Sequence, residues 1–280
     1  VTYKTVHNQI VTESNNTLHQ FFRYVDGAVE EANDLCASIA YATDFQQYSR
    51  LIAENPEKNT FYLSKIQQQL KYHSTDKYYD IFAYYPAIDR VVSGIKGTLD
   101  LERYCEVYYK KDDPLFWEAF RGVAENVEKK PTWYGLYDAQ NSFLCVSLRQ
   151  SRYRKSEYDC IVVVVLNPDY VTEWISEIDD ARSGIFFMQN EKGDFLYSNA
   201  PDSVSENDSV KDNKSAQVDQ DSYMTLTEYS DTKNISYSYA IPYAYFRMKM
   251  RDLWVISGFS IAILLMAGIF TIRKKKRKTY

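Results

Sequence analysis

The chain has 280 residues, enough for one large domain or two small ones with real cores. Hydrophobic residues make up 45% and charged ones 25%, with only 9 Gly and 7 Pro, which excludes a disordered or fibrous chain. The net charge is −5, and the compositional outlier is tyrosine, at 26 residues. Its apolar body and polar tip suit both plain β surface and half-wet pockets.

Residues 1–43 read as one long helix. Val11, Leu18, Phe22, Val25, Val29, Ala32, Cys36 and Ile39 follow at steps of three, four and seven, an apolar stripe along one face. Two uses of the stripe stand open: packing along the chain's own sheet, or a stalk that pairs with a second copy. A second helix covers 44–55 and stops at Asn55-Pro56. A third covers 58–72, with Phe61, Leu63, Ile66 and Leu70 in helical spacing.

Strands then take over. Residues 78–85 (YYDIFAYY) and 90–95 (RVVSGI) are short β runs. Residues 114–127 return to a helical pattern. Strands follow at 133–137, 143–148 and 160–166, the last (CIVVVVL) reading as a central buried strand. Asn167-Pro168 opens a helix, with a good N-cap and Pro in the first turn. Val171, Trp174, Ile175 and Ile178 share its inner face. Residues 184–189 and 195–198 form one hairpin, and 223–229 and 235–241 another. The polar stretch 200–222 between them reads as a surface loop or weak helix.

Leu253–Ile272 is twenty residues without a charge, about the length that crosses a hydrocarbon core. Trp254 stands at one end. Arg273, Lys274, Lys275, Lys276, Arg277 and Lys278 close the other, which puts residues 273–280 in the cytoplasm and 1–252 outside it. Without those six basic residues, 27 basic face 38 acidic ones, a net −11. That excludes nucleic-acid binding by this portion and fits an exposed ectodomain. The first residue, Val1, and the basic end suggest a fragment of a longer protein.

Chemistry is not evident. There is no HExxH, GxSxG or Walker loop. Gly94-Ile95-Lys96-Gly97 is too short for a phosphate loop and lies in a turn. No acid/base pair stands out, no zinc spacing appears, and neither a metal nor a cofactor is expected. Cys36, Cys105, Cys145 and Cys160 are widely spaced. Outside the cytoplasm Cys145 and Cys160 could pair on neighbouring strands, or all four could be free thiols. The expectation is a non-enzyme.

Three segments carry a resemblance: CIVVVVLNPDYVTEWISEI at 160–178, GIFFMQNEKGDFLYS at 184–198 and SYSYAIPYAYF at 236–246. With the order of elements around them they resemble the double Cache sensor family, whose two PAS-like domains sit outside bacterial membranes. The first is similar to the closing strand of a distal domain with its linking helix. The second is similar to the opening hairpin of a proximal domain, and the third to its closing strand. The resemblance implies an α+β fold: a stalk helix (1–43), a distal PAS-like domain (44–180), a proximal PAS-like domain (181–250), and one transmembrane helix (253–272). It specifies fold better than ligand. The family's amino-acid-binding branch has a signature of spaced Tyr, Arg, Trp-Tyr and Ala. The corresponding stretch here, YCEVYYKKDDP at 104–114, has Tyr108 in place of Arg and Lys110-Lys111 in place of Trp-Tyr, so that specificity is not carried over.

The resemblance implies a small-molecule ligand of unknown class in the distal unit. The candidate residues there are Tyr84, Tyr108, Trp117, Trp133, Tyr137, Ser147 and Arg149, aromatic walls with a few polar groups. Ser147 and Arg149 share strand parity, and Arg149 is the candidate clamp for a carboxylate or phosphate. The stalk suggests a homodimer. The short basic linker ending at Lys278-Thr279-Tyr280 resembles those of membrane-bound AraC-type transcription regulators, which implies a DNA-binding output, with a sensor histidine kinase or chemoreceptor as the alternative. A ligand-free adhesion module, a single Ig-like or jelly-roll unit, is the reading from another class, and the helical patterns count against it.

Overall fold

A computed structural model describes residues 2–55, 59–108, 132–138, 141–151, 158–178, 184–191, 193, 195–200, 205–206, 216–217 and 222–277. The helix expected at 114–127 lies outside these residues. The fold is α+β, with one long helix running along two larger antiparallel sheets.

Helix α1 (Thr2–Tyr41) has 40 residues, about 60 Å of continuous helix. It is followed by α2 (Thr43–Glu54) and α3 (Thr60–His73). The α1 stripe is covered by the chain itself: Leu18, Val25, Val29, Ala32, Cys36 and Ile39 are all buried, and Phe22 packs against the same core. Phe21, off the expected stripe, is buried as well. The stripe that suggested a dimer seam therefore packs on the chain's own sheets. A dimer through α1 has to use another face.

The first sheet holds β1 (Tyr78–Tyr85), β2 (Arg90–Ser93), β3 (Gly97–Leu99), β4 (Thr132–Asp138), β5 (Asn141–Ser151) and β6 (Tyr158–Leu166), in the order β3-β2-β1-β6-β5-β4. The four valines of β6 are all buried because both faces of the strand are covered. Val162, Val164 and Leu166 join the core under α1 to α3. Ile161, Val163 and Val165 join a second core under α4 (Leu101–Tyr108). The expected strand at 90–95 ends at Ser93, and β3, which was not expected, follows a turn at Gly97, where φ +88° folds the chain back. Helix α4 was not expected, although Leu101, Tyr104, Cys105 and Tyr108 have helical spacing and the Asp100 carboxylate accepts the Arg103 N–H at 2.9 Å.

Helix α5 (Pro168–Glu177) begins as expected, with the Asn167 side chain accepting the Asp169 N–H at 3.0 Å. It leads to the second sheet, β7 (Ile185–Asn190), β8 (Phe195–Ser198), β11 (Tyr223–Ser230) and β12 (Ile235–Pro242), in the order β11-β12-β7-β8. A two-residue pair, β9 (Ser205–Glu206) and β10 (Ala216–Gln217), lies in the polar stretch. Tyr237 of β12 meets Phe21 and Phe22 of α1 edge-on, at 6.0 and 5.1 Å between ring centroids. Its hydroxyl donates to Asp26 at 3.0 Å, and Lys233 pairs with the same carboxylate at 2.6 Å. The Tyr197 hydroxyl of β8 shares a hydrogen bond of 2.9 Å with Thr172 of α5.

Strand β12 passes at Pro242 directly into α6 (Tyr243–Arg277), which begins ten residues before the expected span. Its portion Tyr243–Ala267 contains an 18-residue stretch with a mean hydropathy of 1.6, long and apolar enough to cross a membrane. Tyr245 and Phe246 pack against the core, while the described large side chains from Trp254 onward are exposed, Trp254 at 68%.

The register decides between the two readings of the cysteines. Cys160 lies opposite Gln150 while Cys145 lies opposite Val165. An offset of five residues is roughly 16 Å, far beyond disulfide reach. Cys36, Cys105 and Cys160 are buried free thiols.

Two outcomes follow from the packing. A Cβ on Gly94 would lie 2.7 Å from the backbone of Leu70 and Lys71 in α3, where neither chain can yield cheaply. Gly94→Ala is expected to cost about 1–3 kcal/mol in chemical denaturation, whereas Gly27→Ala, in open space within α1, is expected to be neutral or stabilising. The second outcome is alkaline unfolding. Burial pushes the Tyr78 and Tyr197 phenols up to about 12 and the Tyr237 phenol well above the usual range, aided at Tyr237 by Asp26. Below pH 10 these groups hold their protons folded or unfolded, so their contribution is fully present. As pH rises from 10 toward 12 only the unfolded chain releases them, and stability falls. A stability–pH curve that stays flat over that window would contradict this.

Candidate ligand site

The site begins with an irregularity in β1. Pairing with β6 shifts between Tyr78, opposite Leu166, and Asp80, opposite Val165. The bulge turns Tyr79 and Asp80 toward the same side of the sheet, away from α1, instead of alternating them. Asp80 alternates regularly with Phe82 and Tyr84, so the strand places a carboxylate in the core under α4, and the bulge adds Tyr79 beside it.

Asp80 is 1% exposed. It accepts from Ser93 Oγ of β2 at 2.7 Å and from the Tyr104 hydroxyl of α4. Lys96 Nζ, from the turn between β2 and β3, forms an ion pair with it at 3.4 Å. The same ammonium sits 3.6 Å from the ring centroid of Tyr79 and 5.2 Å from that of Tyr108. The turn is held from both sides. Ser93 Oγ accepts the N–H of Ile95 at 3.2 Å and of Lys96 at 3.0 Å. The Tyr108 hydroxyl donates to the Lys96 carbonyl at 3.0 Å, and the Tyr79 hydroxyl to the Tyr108 carbonyl at 2.9 Å.

Burial lowers the Lys96 ammonium below the ordinary lysine range, and Asp80 opposes that shift. Burial and then the Asp80 charge drive the Tyr104 phenol far upward. Burial pushes the Cys105 thiol up to about 12, so it is no nucleophile at neutral pH. The arrangement can hold polar groups of a small molecule against aromatic walls. It does not pair a nucleophile with a base. Among the described residues no group of His, Cys, Asp and Glu is placed to hold a metal ion.

Of the sequence candidates, Tyr84 and Tyr108 belong to this core; the Tyr84 hydroxyl donates to Asp89 at 3.1 Å. Ser147 and Arg149 stand opposite Val163 and Ile161, register positions with the parity of Phe82 and Tyr84. Trp133 and Tyr137 stand opposite Val146 and Ser142, on the other parity. The side chains of these four residues, and Trp117 altogether, lie outside the described residues. Sequence reasoning missed Tyr79, Asp80, Ser93, Lys96 and Tyr104. The available signal was a lone carboxylate inside an aromatic strand, followed by a lysine in a Gly-flanked turn. A separate open cleft of about 570 Å³ lies on α6, lined by Tyr243, Phe246, Arg247, Met250, Arg251 and Trp254, and shares none of these residues.

No protein-family profile matches the chain, and no curated protein is similar to it in sequence. Solved structures are similar in fold. The ligand-binding domain of Mlp24 with asparagine is 14% identical, with 87% of this chain and 98% of that chain covered and a TM-score of 0.50. The sensor domain of the histidine kinase DctB of V. cholerae is 9% identical, with 84% and 98% covered and a TM-score of 0.51. At such identities the likeness is one of fold: this chain has the helix-and-antiparallel-sheet architecture of bacterial sensor domains.

Tyr104→Phe removes one donor from a buried carboxylate and is expected to cost about 1.5–3 kcal/mol. Tyr72→Phe, at a residue 86% exposed, is expected to stay within about 0.5 kcal/mol. Equal costs for the two in urea denaturation would remove the energetic case for the Asp80 cluster.

Proposed function

We propose that the chain is the extracytoplasmic ligand-sensing region of a bacterial transmembrane signalling receptor and is not an enzyme. The observation that carries this is the polar, aromatic cluster around Asp80, set into one face of a sheet whose other face is filled by helices. In this reading residues 44–180 form the membrane-distal sensing unit and 181–250 the membrane-proximal unit. The span at 253–272 carries the signal inward, with the basic residues 273–278 in the cytoplasm. Ligand binding beside β6 biases two arrangements of that strand, and α1 and α6 transmit the difference.

The output is an AraC-type DNA-binding module; a sensor histidine kinase or chemoreceptor output suits the same fold equally, and DctB is of the kinase kind. Asparagine accompanies the Mlp24 domain. Here the amino-acid signature departs at Tyr108 and at Lys110-Lys111.

The test is a thermal-shift screen of small metabolites against the full chain in detergent micelles. A ligand at ~100-fold its Kd adds about 2.7 kcal/mol and raises Tm visibly. Arg149→Ala is expected to abolish the shift given by an anionic ligand. If no metabolite class shifts the protein, or turnover appears on generic ester, glycoside or peptide substrates, the reading fails.

A further inference from the structure

Among the described residues Asp80 is the one charged side chain that is fully buried. A buried carboxylate demands a cation or a proton, so an ammonium group arriving at this face from solvent would be drawn to it. That cation is supplied from within. Lys96 pairs with Asp80 at 3.4 Å, its side chain only 11% exposed. Its ammonium lies over the Tyr79 ring and near the Tyr108 ring, the kind of aromatic enclosure that recognises ammonium ligands. The turn that delivers it is specified by Gly97 at φ +88°, by the Ser93 hydroxyl beneath two backbone N–H groups, and by the Tyr108 hydroxyl on the Lys96 carbonyl.

We propose that Lys96 is a tethered ammonium that fills the cation subsite of the distal pocket, so that the pocket admits uncharged or carboxylate-bearing small molecules and turns amino acids away. This rests on the reading of the α4 side of the sheet as the ligand face. A ligand ammonium would have to displace a group held at high effective concentration by its own backbone. Sharing the site instead would set two cations around one carboxylate in a poorly solvated core.

Chemical rescue in the full chain, held in detergent micelles at neutral pH, tests this. Lys96→Ala removes the tethered ammonium and leaves Asp80, Tyr79 and Tyr108 in place. Propylammonium is expected to raise the Tm of Lys96→Ala in a concentration-dependent way and to leave the wild type unmoved. If Lys96→Ala does not fold alone, the same amine is read as recovery of folded protein. Lys96→Met, which refills the space with an apolar stem, is expected not to respond. An amine effect as large on wild type, or none on Lys96→Ala, overturns the proposal. A second arm compares α-amino acids with the matching carboxylic acids that lack the amine, both on wild type. Stabilisation by an amino acid that vanishes in Asp80→Asn also overturns it, while leaving the sensing function intact. Stabilisation by the carboxylic acid alone supports both. Amine rescue of Lys96→Ala with no ligand for the wild type keeps the tethered ammonium and removes the sensing assignment of this face.

Discussion

Forty residues of α1 carry one apolar face, and a face of that length needs cover along all of it. Neither sheet is long enough to provide this alone. The six-stranded sheet covers the later part of α1 through β5 and β6, and the four-stranded sheet covers Phe21 and Phe22 with Tyr237. The two sheets are therefore held in register by a shared helix, much as two blocks are held by one splint. Most other features answer to that arrangement. β6 needs apolar side chains on both parities because one faces the splint and the other faces α4.

Polar contacts then set the position of the helix along its axis, which apolar contact does loosely. Asp26 takes both Lys233 and the Tyr237 hydroxyl, and it does so in a half-buried setting where each interaction is stronger than on the surface. His19 meets Glu228 at 3.1 Å one strand further on, and Lys77 pairs with Glu31 near the other end. The contacts at Asp26 and His19 lie on the edge hairpin of the second sheet, whose last strand continues into α6. A displacement of α1 relative to the first sheet is thus felt at the base of α6 without any flexible linker between.

Much of this was legible beforehand, for identifiable reasons. The α1 stripe, the all-valine strand and the Asn-Pro helix start are strong local signals with one physical meaning each. The stripe alone left its partner open, because periodicity reports that a face is buried and not by whom. The site was the least legible part. Its aromatic wall Tyr79 depends on a bulge that reverses strand parity after Tyr78, and no alternation rule survives a bulge. Trp133 and Tyr137 were grouped with Ser147 and Arg149 on composition; register separates them because β4 pairs with β5 one parity out of step. Cys145 and Cys160 were neighbours in strand order but not in register. Helix α4 carries its own signal in the Asp100 cap and the spacing of Leu101, Tyr104, Cys105 and Tyr108, but at eight residues it is too short for periodicity alone to announce.

The separation in sequence of the α1 contacts has a consequence for how the chain reaches this state. Asp26 and Lys233 are 207 residues apart, and His19 and Glu228 are 209. Synthesis makes the first half of α1 long before the strand that covers Phe21 and Phe22. Closing such a loop costs entropy before any contact compensates for it, so this pairing belongs to the slow, late phase of folding. Until then the helix exposes two adjacent phenylalanines. The first sheet can collapse around α2, α3 and Val29 onward while that end waits. The nascent chain is thus vulnerable to wrong association at Phe21 and Phe22 until β12 arrives to cover them.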